Sequence, residues 1–169
     1  MNIQSTLRNN GIKSIWHFTD KSNLASIEKY GLLCLREILT EDVHVSCFGA
    51  DDLSHSLDID RGLDQFVHLS FVKDHPMYHV AKRDGRIPNP IWIEIDLSVL
   101  HVDNTIFSDE VANGRGASIF SADKLEKMID FETILYEKDF WIRKEARKAE
   151  IMVANNISYE NIKGIYYGN

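Results

Sequence analysis

The segment Ile91-Trp92-Ile93-Glu94-Ile95-Asp96-Leu97 constrains this chain more than any other. Isoleucine recurs at every second position, with Trp92, Glu94 and Asp96 between. Side chains of an extended strand alternate between two faces, whereas a helix groups residues three and four apart, so the alternation reads as a strand. A strand needs paired neighbours and cover for its apolar face. The sequence offers both. Strands are predicted over 12–19 (IKSIWHFT), 66–72 (FVHLSFV), 106–107, 149–154 (AEIMVA) and 165–167, and VHVSCF at 43–48 alternates well enough to be a further short one.

Helices are predicted between them. Leu24 and Ile27 fall at i, i+3, and Gly31 stands where a C-terminal glycine belongs, giving a helix over about 22–30. Asp74 as a cap, Pro76 in the first turn and Gly85 past the end mark a second over about 75–83. Ser121 caps a third, with Leu125, Met128 and Ile129 on one side. Residues 1–11 read as a short polar helix or arm, 132–148 as helical in part, and a one-turn helix precedes the last strand. GADDLSHSLDIDRGLDQ, acidic and turn-rich, reads as a functional or mobile loop. Helices and strands are segregated rather than alternating. This predicts a single α+β domain over residues 1–169 with a largely antiparallel or mixed sheet. Neither a glycine-rich dinucleotide fingerprint nor a P-loop is present.

Composition narrows the function classes. A net charge of −7 argues against broad, charge-driven nucleic-acid binding, though two local basic clusters stand out. They are Lys82, Arg83 and Arg86, and Arg143, Lys144, Arg147 and Lys148; a solvated helix face is the commoner meaning of either. No apolar run approaches the ~20 residues of a membrane span, and no apolar leader opens the chain. Cys34 and Cys47 lie among apolar residues and read as free thiols, so a cytoplasmic protein is expected.

Four constellations carry possible chemistry. His17 stands between Trp16 and Phe18 at the end of the first strand, able to donate to a ribose hydroxyl or a carboxamide, or else a core histidine. His75 and His79, at i, i+4, have metal-ligand spacing but no third ligand, so no metal is expected. Arg61 sits among Asp58, Asp60 and Asp64, either neutralising them or serving as an anion ligand. Glu150 lies where the charged run WIRKEARKA meets the apolar Ile151-Met152-Val153, a position open to a catalytic acid and to an ordinary surface glutamate alike.

Taken in order, these segments resemble the DarT family of ADP-ribosyltransferases, which use NAD to modify single-stranded DNA. The resembling residues are Trp16-His17-Phe18-Thr19-Asp20 with Asn23-Leu24 and Gly31-Leu32-Leu33; Val67-His68-Leu69-Ser70-Phe71 running into His75-Pro76-Met77-Tyr78; Ile106-Phe107-Ser108-Asp109; and Arg147-Lys148-Ala149-Glu150-Ile151-Met152-Val153. The resemblance implies an ADP-ribosyltransferase-like split mixed β-sheet flanked by helices, with NAD as co-substrate in the cleft. It matches His17, Phe18 and Thr19 to the first-strand NAD-binding motif and Glu150 to the catalytic glutamate. Ser26 and Cys34 fall where further NAD contacts are expected by spacing, and Arg61 is the candidate for the family's loop arginine, which contacts NAD and is assigned a role in deprotonating the target base. The segment covering NAD is shorter than the family's.

Cleavage of the nicotinamide–ribose bond builds positive charge on the ribose, which a carboxylate holding its 2′-hydroxyl stabilises. Arginine is almost always charged, which favours a positioning role for Arg61 over proton abstraction. The loop SDEVANGRGAS with Arg115, and the basic cluster before Glu150, are candidates to hold a single-stranded DNA target. The resemblance implies a toxin paired with a macrodomain antitoxin that removes the mark. The residues also leave open the same fold acting on RNA, protein or water, and a non-catalytic binding module that keeps the NAD cleft.

Overall fold

The structure is a computed structural model and describes residues 2–168. The strands are β1 (Ile15–Asp20), β2 (Phe66–Ser70), β3 (Pro90–Ile95), β4 (Thr105–Ser108), β5 (Ile119–Ser121), β6 (Glu150–Ala154) and β7 (Ile162–Tyr167). They form one sheet in the order β5-β4-β6-β2-β1-β3-β7. Every neighbouring pair is antiparallel, which decides between the antiparallel and mixed expectations. The helices are α1 (Ile3–Asn9), α2 (Leu24–Tyr30), α3 (Leu35–Thr40), α4 (Asp52–Asp60), α5 (Pro76–Arg83), α6 (Leu125–Met128), α7 (Phe131–Tyr136) and α8 (Phe140–Ala146).

The isoleucine face of β3 sits where the alternation requires. Ile91, Ile93 and Ile95 are fully buried in the main core. Ile15, Val67, Leu69, Phe107, Ile151 and Val153 share that core, with Ile3 and Leu7 of α1, Ile27 of α2 and Phe131 and Ile134 of α7 covering it. The opposite face carries two smaller clusters. Trp92 packs with Tyr78 of α5, Trp16 and Phe18, while Met152 packs with Leu63 and Ala112.

The sheet is split at its centre. β1 pairs with β3 at six positions but with β2 at one, Trp16 opposite Ser70. Beyond that point a side chain replaces the ladder: His17 Nδ1 lies 3.1 Å from the His68 carbonyl oxygen. Ser70 is in turn opposite Glu150, and Glu150 opposite Ser108. Cross-strand partners point to the same face, so one row carries Trp16, Ser70, Glu150 and Ser108 across the split, with His68 two residues along on the same side.

Residues 43–48, the acidic stretch and the start of α5 differ from the sequence expectation, and α3 and β5 answer to none. Residues 43–48 form no strand; they pass irregularly over the cleft. The acidic stretch expected as a loop contains helix α4. Asp51 caps it by accepting from the Ser54 amide at 2.8 Å, and Asp52 sits in the favourable first turn. The helix escapes detection because its apolar residues form no buried stripe: Leu53 and Ile59 are exposed, and Asp58 is the one buried residue. At α5 the cap is His75, whose side chain accepts from the Met77 amide, while Asp74 pairs with His79 and Arg147.

Candidate active site

A cleft of about 250 Å³ lies along the split. Trp16, His17, Phe18 and Thr19 line it from β1, His68 and Ser70 from β2, and Glu150 from the start of β6. Ser26 of α2 lines it too. The cover is residues 43–50 together with Ser54, His55 and Asp58 of α4.

Glu150 is 8 % exposed and tightly held. Its Oε2 accepts from the Ala112 amide at 3.0 Å and lies 3.3 Å from His68 Nδ1. Its Oε1 lies 3.7 Å from His75 Nε2. Burial alone would push this carboxyl up, but the hydrogen bond and charge of His68, with His75 and Ala112 adding, hold it below its ordinary value. Glu150 is therefore ionised. The reciprocal effect falls on His68. Burial would lower it, yet Glu150, with Asp58 and the Leu63 carbonyl adding, raises it to about 9. As an imidazolium His68 donates from both nitrogens, to Glu150 and to the Leu63 carbonyl at 3.3 Å.

The other two imidazoles are neutral. Burial lowers His75, whose Nδ1 accepts from the Met77 amide at 3.2 Å; its proton is on Nε2, facing the Lys148 carbonyl and Glu150. His79, one turn on, is exposed and bound to Asp74 at 2.7 Å, so the two histidines serve different partners. Burial also lowers His17. Its Nδ1 faces a carbonyl, which can only accept, so Nδ1 carries the proton and Nε2 is an acceptor. His17 thus offers a hydroxyl group a lone pair, where the sequence suggested a donor.

Phe18 is wedged against His75, Tyr78 and Trp92 with ring centroids 5.5–6.2 Å apart. Gly49 of the cover lies on it: a β-carbon there would stand 3.0 Å from the ring. Thr19 is buried with its Oγ1 accepting from Asn23 Nδ2 at 3.0 Å. Asn23 then pins the cover, donating to the Cys47 carbonyl at 2.7 Å and accepting from the Ser46 amide at 2.9 Å. Arg86 holds it from the far side through the Gly49 carbonyl.

Of the residues singled out in the sequence, His17, Phe18, Thr19, Ser26 and Glu150 share this cleft. Two do not. Cys34 begins α3 with its side chain in the main core, 3 % exposed. Arg61 ends α4 and turns its guanidinium onto the carbonyls of Ala112 (3.3 Å) and Gly114 (2.8 Å). It thereby fixes the loop whose Ala112 amide grips Glu150. Sequence reasoning gave His68, His75 and Asp58 no role in the cleft: His68 stood only within a family segment, His75 was weighed with His79 as a metal pair, and Asp58 only as a neighbour of Arg61. The alternation of β2 did place His68 opposite the core-facing Val67 and Leu69, but nothing local announces a partner 82 residues away.

A second, basic groove lies behind the cleft. Arg83, Arg143, Lys144 and Arg147 line it with Phe140, and Trp141 beside it is exposed. Residues 74–77 separate the two sites: Asp74 and Pro76 face the groove, His75 and Met77 the cleft.

Comparison with solved structures finds the same fold. The Thermosipho africanus DarTG in complex with ADP-ribose matches with a TM-score of 0.73 and 20% identity, over 93% of this chain and 44% of that one. The Thermus sp. 2.9 DarT in complex with ADP-ribosylated ssDNA matches with a TM-score of 0.72 and 16% identity, over 92% of this chain and 81% of that one. The same Thermus protein in complex with NAD+ matches with a TM-score of 0.64 and 18% identity, over 91% and 81%. This chain thus spans less than half of the Thermosipho chain. No curated protein sequence matches it. The family model described as "ssDNA thymidine ADP-ribosyltransferase, DarT" matches residues 16–169, from the first strand of the split through Glu150 to the end, and the chain belongs to the DarT family.

Proposed function

We propose that this chain cleaves NAD+ and transfers its ADP-ribose to thymidine in single-stranded DNA. The observation that carries the reading is the placement of His17 and Glu150 on the two sides of one split, tied together by His68: its carbonyl meets His17 and its ring meets Glu150. NAD+ supplies an ADP-ribosyl group whose bond to nicotinamide breaks with the electron pair leaving on a neutral product. Oε2 of Glu150 is committed to His68 and Ala112, so Oε1 is the oxygen that accepts from the ribose 2′-hydroxyl. Held there, it stabilises the positive charge that develops on the ribose. His17 Nε2 accepts from a second hydroxyl, Phe18 forms the apolar wall, and the 43–50 cover excludes water from the reacting carbon. Thymine in DNA keeps one ring N–H, at N3, and that nitrogen is the nucleophile.

The proposed biological role is that of a toxin, accompanied by a macrodomain partner that removes the ADP-ribose. Fold similarity to a chain described as DarTG supports such pairing. The assay is direct: purified protein with NAD+ and a thymidine-containing oligonucleotide yields free nicotinamide and an ADP-ribosylated strand. Induced expression arrests growth, and a co-expressed macrodomain hydrolase restores it. Nicotinamide release without a DNA adduct would identify an NAD glycohydrolase instead.

A further inference from the structure

Transfer to thymine requires a proton acceptor, and the residues assigned so far supply none. Arg61 is engaged with loop carbonyls and remains charged. His68 donates from both nitrogens. His75 spends its lone pair on the Met77 amide, and His17 spends its own on the ribose in the reading above. Two further carboxylates line the cleft, Asp58 and Asp64. Asp64 is clamped by Arg36 through both oxygens, at 3.1 and 3.0 Å.

Asp58 differs. It is buried at the inner side of α4, one turn before Arg61. Its Oδ1 accepts from Asn113 Nδ2 at 3.2 Å, which fixes the carboxylate against the 111–116 loop. Its Oδ2 has no hydrogen-bond partner among the described residues and is not sealed from the cleft. The charge of His68 acts on both Asp58 and Glu150, and all three line the same cleft.

We propose that Asp58 is the base that removes the N3 proton of the target thymine. The assignment rests on the thymidine-transferase reading above. As the bond from N3 to the ribose C1″ forms, the N3 proton passes to Asp58 Oδ2. The bond from C1″ to nicotinamide breaks, and its electron pair leaves on nicotinamide. Glu150 stays ionised throughout, so the two carboxylates divide the work: one stabilises the electrophile, the other activates the nucleophile. Burial and the neighbouring charge of Glu150 raise the proton affinity of Asp58, against the opposing pull of His68, Asn113 and His55, and so make it the better base.

The test is Asp58→Asn, which preserves shape and can keep a contact with Asn113, alongside Asp60→Asn, the same change at an exposed position of the same helix. Each is read for thermal midpoint, for nicotinamide release without DNA, and for adduct formation on an oligonucleotide with a single thymidine. The expected result for D58N is an adduct rate lower by roughly 10²–10⁴-fold, a loss at least about tenfold larger than that of nicotinamide release. The deficit should narrow as pH rises, because hydroxide then takes the N3 proton. Parallel loss of both activities, unchanged adduct formation, or an equal loss in D60N overturns the assignment. A wild-type protein that releases nicotinamide but modifies no thymidine removes the substrate, and the role of Asp58 with it. A wild-type protein that modifies thymidine beside an equally active D58N removes the role and leaves the substrate.

Discussion

Glu150 and His68 set each other's charge, and the consequence is a pH window. The folded-state value of His68 is raised from 6.5 to about 9, so the stability its proton contributes is complete below pH 6.5 and is lost as pH rises through about 9. Glu150 is lowered from 4.5, so its contribution is present above that value and lost as pH falls through its folded value. The pair is at full strength between these limits. Urea unfolding of the wild type should therefore lose about 1.5–3 kcal/mol on the alkaline side, the contribution of a hydrogen bond to a charged group. His68→Gln should be less stable at neutral pH and show no such alkaline loss. A His68→Gln curve parallel to the wild type would exclude the pair. At this scale the sequence was half legible. Glu150 could be found because it begins a strand, where a side chain is fixed yet faces a cleft, and His17 with Phe18 because an imidazole between two large aromatics stands out even in the middle of β1. Cys34 and Arg61 went elsewhere because spacing along a chain does not report which way a helix terminus turns. His68 and Asp58 acquire meaning only when β2, α4 and β6 are brought together.

At the level of elements, the cover decides access. Asn23 is buried, and its side-chain amide makes four bonds, one each to Thr19 and Ser46 and two to Cys47, coupling β1 to the segment above it. Asn23→Ala should raise the KM for NAD+ by roughly tenfold with a smaller effect on kcat, since it loosens the closed form rather than the reacting groups. Amide exchange in residues 43–50 should speed up in the same variant; unchanged exchange would separate the cover from Asn23. Gly31, at the end of α2, is a second control point. Its φ of +79° with ψ of −169° lies in a region open essentially to glycine, and an added β-carbon would stand 2.3 Å from the Ile157 carbonyl. Gly31→Ala should cost roughly 1–3 kcal/mol in urea unfolding. Strands were the legible elements, because alternation against a buried face is a two-residue signal: FVHLS, IWIEI and EIMVA all hold. The 43–48 alternation misled because its apolar residues face a cleft rather than a neighbouring strand. Helix α4 was hidden because the residue it buries is an aspartate.

The whole molecule carries −7, yet its positive charge is not spread evenly. Arg83, Arg143, Lys144 and Arg147 gather with Phe140 in the groove behind residues 74–77, within one segment's width of Glu150. The charged run before β6, which the sequence offered as a candidate to hold DNA, thus lines this groove. A double substitution of Arg83 and Lys144 to Gln should weaken single-stranded DNA binding across sequences and reduce the slope of log K against log salt by about 1–2. Nicotinamide release without DNA should be unaffected; an unchanged slope would place the strand on another surface. The α+β class and the split sheet were legible from segregated helices and strands and from the ordered motifs. The order of the strands was not, because β6 enters between β4 and β2 from the far end of the chain.

The central claim is that Glu150 drives transfer of ADP-ribose from NAD+ to thymidine. Intact-mass measurement of paired oligonucleotides, one with a single thymidine and one with none, tests it with wild-type protein and Glu150→Gln. The account predicts one ADP-ribose on the thymidine strand with wild type, none on the strand without thymidine, and a loss of roughly 10²–10³-fold in Glu150→Gln. An adduct on the thymidine-free strand, or one that forms as fast with Glu150→Gln, would contradict it.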